Sequence, residues 1–321
     1  MTNTTEQLIK KQESEDDIVA LVRHTGDLST LSRLETLKKA IDLIGGFGIL
    51  KSPFIVKTNI HTNPGQATTM LSMTSAKMVE AIISLALKEN QHLSVKIVES
   101  DSGGKFADEY TWKRCGYKDL VDKLNDSGFD VSLVNLSQPP LVNIKLDGLY
   151  FKELEVNKLL TEKAYFVSVM VPKTHSIAFV TGVTKNMFGL LPRKNKGFYH
   201  PRDGSIDINH VILDSARIIK PDLCVLDAIV GLESTLPATA THGRFKRMNA
   251  MIVGRNLVSV DATMTRLMGF KPETVRHLVD GAKLGLGTLN PKVVGENVED
   301  MIVKFKPPNN LWPSALVNPR S

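Results

Sequence analysis

The stretch Leu93-Ser-Val-Lys-Ile-Val98-Glu-Ser-Asp101-Ser-Gly-Gly104 reads as a short strand running straight into a polar, glycine-ended loop. The same pattern stands on either side of it. Upstream, Phe54-Ile-Val-Lys57-Thr-Asn59 is a strand that meets the polar segment His61 to Thr69. Residues 72–88 between the two strands carry Met78, Ile82, Leu85 and Ala86 at helical spacing. Downstream, a helical stretch containing Tyr110 to Leu124 leads to the strand Val131-Ser-Leu-Val-Asn-Leu136. Strand, loop and helix in repetition predict a largely parallel sheet with helices on its faces. Ligands of such sheets bind beyond the carboxyl ends of the strands. The loops 59–69 and 99–105 therefore share one edge.

The second half repeats the style. Residues 164–171 read as a strand, and a helix over about 207–219 turns Ile208, Val211, Ile212, Ala216 and Ile219 inward. The strand from Leu223 to Ile229 ends near Asp227 and Glu233, and Met251-Ile-Val253 is another strand. A short helix runs from Asp261 to Met268, with Asp261 as its N-cap. Residues 1–50 read as helical, with 35–44 closed by Gly45-Gly46. The expected class is α/β, with two lobes and a cleft at the carboxyl ends of the strands. The expected division is a helical lead over 1–42, a first lobe over 43–150, a second over 151–306 and an irregular tail over 307–321.

With 321 residues, 42% of them hydrophobic and 23% charged, the chain has the composition of an ordinary globular protein. Two cysteines are too few for a zinc ribbon or a cysteine-ligated iron–sulfur cluster. Cys224, in an apolar run, reads as a small buried hydrophobe. No apolar stretch reaches the roughly 20 residues of a membrane helix. The first residues show no basic segment followed by an apolar one, so a cytoplasmic location is expected. Neither the Gly-x4-Gly-Lys-Ser/Thr phosphate loop nor the Gly-x-Gly-x-x-Gly dinucleotide turn is present.

The net charge of +6 is unevenly spread. From Lys163 to Arg202 there is no Asp or Glu, but there are seven Lys or Arg together with His175 and His200. Without those seven cations the chain would carry −1. Within this segment, Ile177 to Leu191 is too apolar to be a solvated face, so Lys185 is expected to be enclosed. An enclosed cation needs a partner, and no local carboxylate supplies one. A bound anion is the expected partner. His175, Lys185 and His200 are the candidate catalytic residues, because imidazoles and a lysine with a lowered pKa suit proton transfer or nucleophilic chemistry. Lys57, Asn59, Asp101, Ser102, Lys173, Asn186, Arg193, Asp227 and Glu233 are the candidate substrate-binding residues. Asp101, Asp227 and Glu233 would form the wall opposite the cations.

Val171-Pro-Lys-Thr-His-Ser176, Thr181-Gly-Val-Thr-Lys-Asn-Met-Phe-Gly-Leu190 and Val260-Asp-Ala262 followed by Leu267-Met-Gly269 carry a resemblance. The chain resembles the family known as domain of unknown function 362, from roughly Leu43 to Gly287. That resemblance implies no particular activity. Many members carry a ferredoxin-like cysteine domain, which would need more cysteines than this chain has. A more distant similarity lies in the order of His175, Lys185 and His200, which resembles the nickel-pincer lactate racemase group. It implies that Lys185 holds a modified nicotinate cofactor, His200 binds the metal and His175 is an acid/base.

The resulting expectation is an enzyme acting on a small anionic metabolite by isomerisation, elimination or displacement of an anionic leaving group. The alternatives are a binding module for nucleic acid or an acidic partner, and a non-catalytic subunit of a complex. Substrate identity, metal dependence and oligomeric state are left open by the sequence.

Overall fold

Ile18–Arg23 forms a strand, β1, where the sequence reading expects helix. The run Ile-Val-Ala-Leu-Val is apolar on both faces, and so short a run has no period that separates a buried strand from a helix. Its neighbours decide the outcome. β1 lies inside the sheet, antiparallel to β11 (Arg244–Gly254) and parallel to β12 (Lys292–Gly295). Among the described residues of the expected helical lead, helix begins with α1 (Thr30–Leu43), capped by the Ser29 side chain.

The computed structural model describes residues 17–60, 70–101, 107–192, 198–199, 205–233, 243–308, 311 and 313–317. After α1 come β2 (Phe54–Lys57), α2 (Ala76–Glu89), β3 (Ser94–Glu99), α3 (Glu109–Arg114), α4 (Tyr117–Asp126) and β4 (Asp130–Asn135). The expected Tyr110–Leu124 helix is two helices, parted at Gly116, whose φ of 77° is a left-handed conformation that glycine adopts readily. A separate hairpin follows, β5 (Leu141–Lys145) and β6 (Glu153–Asn157). Then come β7 (Tyr165–Met170), the small hairpin β8 (Lys173–His175) and β9 (Phe179–Thr181), α5 (Val183–Asn186), α6 (Ile208–Ala216) and β10 (Leu223–Glu233). Two further helices, α7 (Leu257–Leu267) and α8 (Arg276–Lys283), complete the fold.

The main sheet has the order β12-β1-β11-β10-β7-β2-β3-β4, with β8 and β9 attached beside β10. β10, β7, β2, β3 and β4 are parallel. Strands from residues 43–150 and 151–306 lie in this one sheet, so the expected two-lobed division does not divide it. Strand side chains alternate between two cores. Val56, Ile97, Val167 and Val225 pack under α1–α4, and Ile55, Val98, Phe166 and Leu226 pack under α5–α8.

The chain lays β3 and β4 down on one side of β2, then returns to place β7 on the other side. The strand order therefore reverses between β2 and β7. In open parallel sheets the crevice at such a reversal is where ligands bind.

α5 begins at this crevice, and its start is held from across the core. Val183 and Thr184 N–H donate to the two carboxylate oxygens of Asp261, each at 2.8 Å. Asp261 is thus no N-cap of its own helix, as the sequence suggested. It sits in the middle of α7, which starts four residues earlier because Leu257, Val258 and Val260 join its buried face, and it caps α5 instead. Burial pushes its carboxyl up to about 6 against those hydrogen bonds. A Cβ on Gly182 would overlap Asp261 Oδ1. Gly182→Ala should therefore cost about 1–3 kcal/mol in urea unfolding, with the m-value unchanged. A variant as stable as the parent would mean that Asp261 can withdraw from α5.

Candidate functional site

Lys57 ends β2 with its side chain buried, and a buried ammonium requires compensation. Its Nζ donates to Glu99 Oε1 at 2.8 Å and to Thr58 O at 2.6 Å. Glu99 ends the neighbouring strand β3. Its carboxylate also accepts Ile60 N–H at 2.7 Å and Ser100 N–H at 2.9 Å, which orders both loops at this edge. Gly189 lies directly over Lys57, so that a Cβ there would stand 2.6 Å from Nζ. Ser100 Oγ donates to Gly189 O. The segment after α5 is thereby closed onto the ends of β2 and β3.

Asn186 ties α5 into the reversal point. Its Nδ2 donates to Ser168 Oγ at 3.1 Å, Val169 O at 3.3 Å and Lys57 O at 3.4 Å. Its Oδ1 is buried with no hydrogen-bond partner among the described residues. Lys173 enters from β8, 6% exposed, and donates to Asn59 Oδ1 at 2.6 Å. A neutral amide does not balance its charge. Burial, with the charges of Lys185 and Lys57 nearby, holds the Lys173 ammonium well below the usual lysine range, although Glu99 pulls the other way.

Lys185 stands on α5, partly exposed, with its Nζ 5.6 Å from the centre of the Phe188 ring. Burial brings its pKa down to about 8. Its folded value lies below that of the unfolded chain, so Lys185 opposes folding at neutral pH. That opposition fades as pH rises from about 8 towards the ordinary lysine value. His175 lies on β8, where Nδ1 accepts Ile177 N–H at 3.0 Å, which places the ring proton on Nε2.

Sequence reasoning missed one imidazole. His277 on α8 is fully buried, and neither ring nitrogen has a hydrogen-bond partner among the described residues. Burial and the charge of Lys185 hold it down to about 3, so its ring is neutral. It follows Arg276 in a short amphipathic helix, and nothing local in the sequence signals that Lys185 is within electrostatic reach.

The structure thus brings together Lys57, Asn59, Lys173, Lys185 and Asn186 of the candidates. Asp101 lies at the same edge, but it organises the loop: Oδ1 accepts Ala107 N–H at 2.8 Å and Asn135 Nδ2 at 3.0 Å. Asp227 and Glu233 are engaged elsewhere. Asp227 pairs with Arg33 of α1 at 3.0 Å, because its place on β10 directs it to the face covered by α1–α4. Glu233 accepts Lys306 N–H at 2.7 Å and lies 3.5 Å from Lys246 Nζ. Ser102, Arg193 and His200 lie outside the described residues. Among the described residues no group of three or more His, Cys, Asp or Glu could hold a metal ion.

Residues 55–266 match the family described as "Domain of unknown function (DUF362)", well over half of the chain. The chain belongs to this family. The matched span opens in β2 and closes in α7. It includes Lys57, Glu99, Lys173, Lys185, Asn186 and Asp261 of this DUF362 protein, while His277 lies beyond it. The chain is also 24% identical over 263 residues to "Thylakoid-associated protein sll1697" of Synechocystis sp. (strain ATCC 27184 / PCC 6803 / Kazusa), covering 79% of this chain and 76% of that one. No helix among the described residues is long and apolar enough to cross a membrane.

Removing one member of the buried Lys57–Glu99 pair leaves a charge uncompensated. Lys57→Met should cost about 3–5 kcal/mol in denaturant unfolding, and adding Glu99→Gln should restore a large part of the loss. Strictly additive losses would contradict the pairing.

Proposed function

We propose that this DUF362 protein is an enzyme that binds a small anionic metabolite at the crevice between β2 and β7 and acts on it by acid/base or lysine-assisted chemistry. The observation that carries this reading is the charge arrangement at the crevice. Lys57 is matched by Glu99, whereas Lys173 has a neutral amide partner and Lys185 an aromatic one. Neither Lys173 nor Lys185 has a carboxylate partner among the described residues. A bound carboxylate, phosphate or sulfate would supply the missing negative charge through charge-assisted hydrogen bonds. It would also raise both depressed ammonium values, so binding and protonation are coupled.

Lys185 suits the proton-transfer role. A group that titrates at about 8 exchanges its proton close to working pH. At pH 7 roughly a tenth of it is the free amine, available as base or nucleophile. His175, with its proton on Nε2, can donate towards a substrate oxygen. Isomerisation, elimination and displacement of an anionic leaving group all use this pair of roles. A nucleic-acid footprint needs exposed cations, but Lys57 and Lys173 are 0% and 6% exposed. We place the activity in the cytoplasm. The association in the relative's name would come to this chain as attachment at a membrane surface, which fractionation of cells would reveal.

Sulfate and oxalate, which do not titrate near neutrality, are suitable probes for calorimetry. Their affinity should fall as pH rises from 7 to 9, with uptake of a proton on binding. Lys185→Met should weaken binding about 10- to 100-fold at pH 7 and flatten that slope. Lys185→Arg should keep the affinity and reduce the slope to the part that Lys173 contributes. Binding that ignores both pH and Lys185 would end the proposal.

A further inference from the structure

Across the sheet from the lysines, α1, α2 and α4 meet the middle of β10 around a cleft of about 510 Å³. That is the size of a small-molecule site. None of Lys57, Asn59, Lys173, Lys185 and Asn186 lines it. Its interior is apolar and includes Met70, Met73, Leu120 and Val171. Methionines adapt their shape to irregular ligands.

The buried polar groups of this cleft are unusual. Asp227 and Arg33 are 4% and 5% exposed. Arginine commonly grips a carboxylate with two parallel bonds. Here Nε alone reaches Asp227 Oδ2, at 3.0 Å, and Nη1 turns to Leu28 O. Asp227 Oδ1 is therefore left buried with no hydrogen-bond partner among the described residues. Leaving such an acceptor dry carries a desolvation penalty, and it calls for an occupant.

The charges of the cleft indicate what that occupant is. Asp227 is matched by Arg33 and Glu80 by Lys123, at 3.0 and 2.5 Å, and Lys77 and Asp119 sit at the mouth. Three cations face three carboxylates, so the cleft favours neither an anion nor a cation. We propose that it is a second ligand site, for a neutral, largely apolar molecule that carries a hydroxyl or amide N–H and donates it to Asp227 Oδ1. The segment 73–75 joins the two sites. Met73 and Ser75 line the cleft, while Thr74 Oγ1 accepts Asn59 N–H at 2.9 Å and donates to Val169 O at 3.0 Å.

The test uses the full chain with methyl-labelled methionine, followed by NMR. 4-Propylphenol should shift the Met70 and Met73 methyl signals saturably. 4-Propylanisole, which lacks the donor, should bind about tenfold more weakly or worse. Val230→Phe, which fills the cleft from β10 and leaves Asp227 in place, should abolish the shifts. Asp227→Asn, where it folds, should narrow the difference between the two compounds. Sulfate should not compete, which separates this site from the lysine crevice. The proposal is overturned if the phenol leaves both signals unmoved, if the anisole binds equally well, or if Val230→Phe binds the phenol normally.

Discussion

A buried lysine at the end of a central strand is the constraint around which this edge of the protein is organised. Lys57 cannot be charged and dry without an anion, and the adjacent parallel strand ends in Glu99 at the right register to supply it. The same carboxylate collects backbone N–H groups from the segments after β2 and β3. One ion pair thus fixes two loops. Gly189, free of a side chain, lets the segment after α5 close over the pair. With Lys57 satisfied from within, Lys173 and Lys185 are left with neutral partners. The site is a compensated cation supporting two that have no carboxylate partner among the described residues, and those two carry depressed ammonium values as the cost of their enclosure.

Much of this was legible in the sequence, and the parts that were not have definite physical causes. Strands β2, β3, β4, β7 and β10 are apolar runs that end in polar loops, and α2 is an amphipathic helix. Local pattern was enough for these. β1 was lost because a run apolar on both faces carries no period, and its place depends on β11 and β12, residues more than two hundred positions away. The stretch from Ile177 to Leu191 was correctly read as enclosed, yet the hairpin β8–β9 escaped, since three-residue strands leave no pattern.

The site residues divide in the same way. Lysines in an acid-free stretch announce themselves, so Lys173 and Lys185 could be found. Glu99 was visible only as part of the loop motif, because its role is defined by Lys57 on another strand. His277 reaches the neighbourhood of Lys185 through the packing of α8, and no spacing rule predicts that. Asp227 reads from sequence as a carboxylate near a strand end, but β10 runs on to Glu233 and leaves it in mid-strand. Strand alternation then directs it to the opposite face, where it meets Arg33. Asp261 shows the converse: a residue that looked like a cap for its own helix caps another one seventy-eight positions earlier in the chain.

The central claim is that Lys173 and Lys185 share a partly dry crevice with no carboxylate partner among the described residues. The most direct measurement is a ¹⁵N NMR titration of the lysine side-chain nitrogens in the full chain, assigned with Lys173→Arg and Lys185→Arg. The account predicts that Lys185 half-titrates near pH 8 and that Lys173 lies well below the ordinary lysine value of 10.5. Both nitrogens titrating near 10.5 would contradict it.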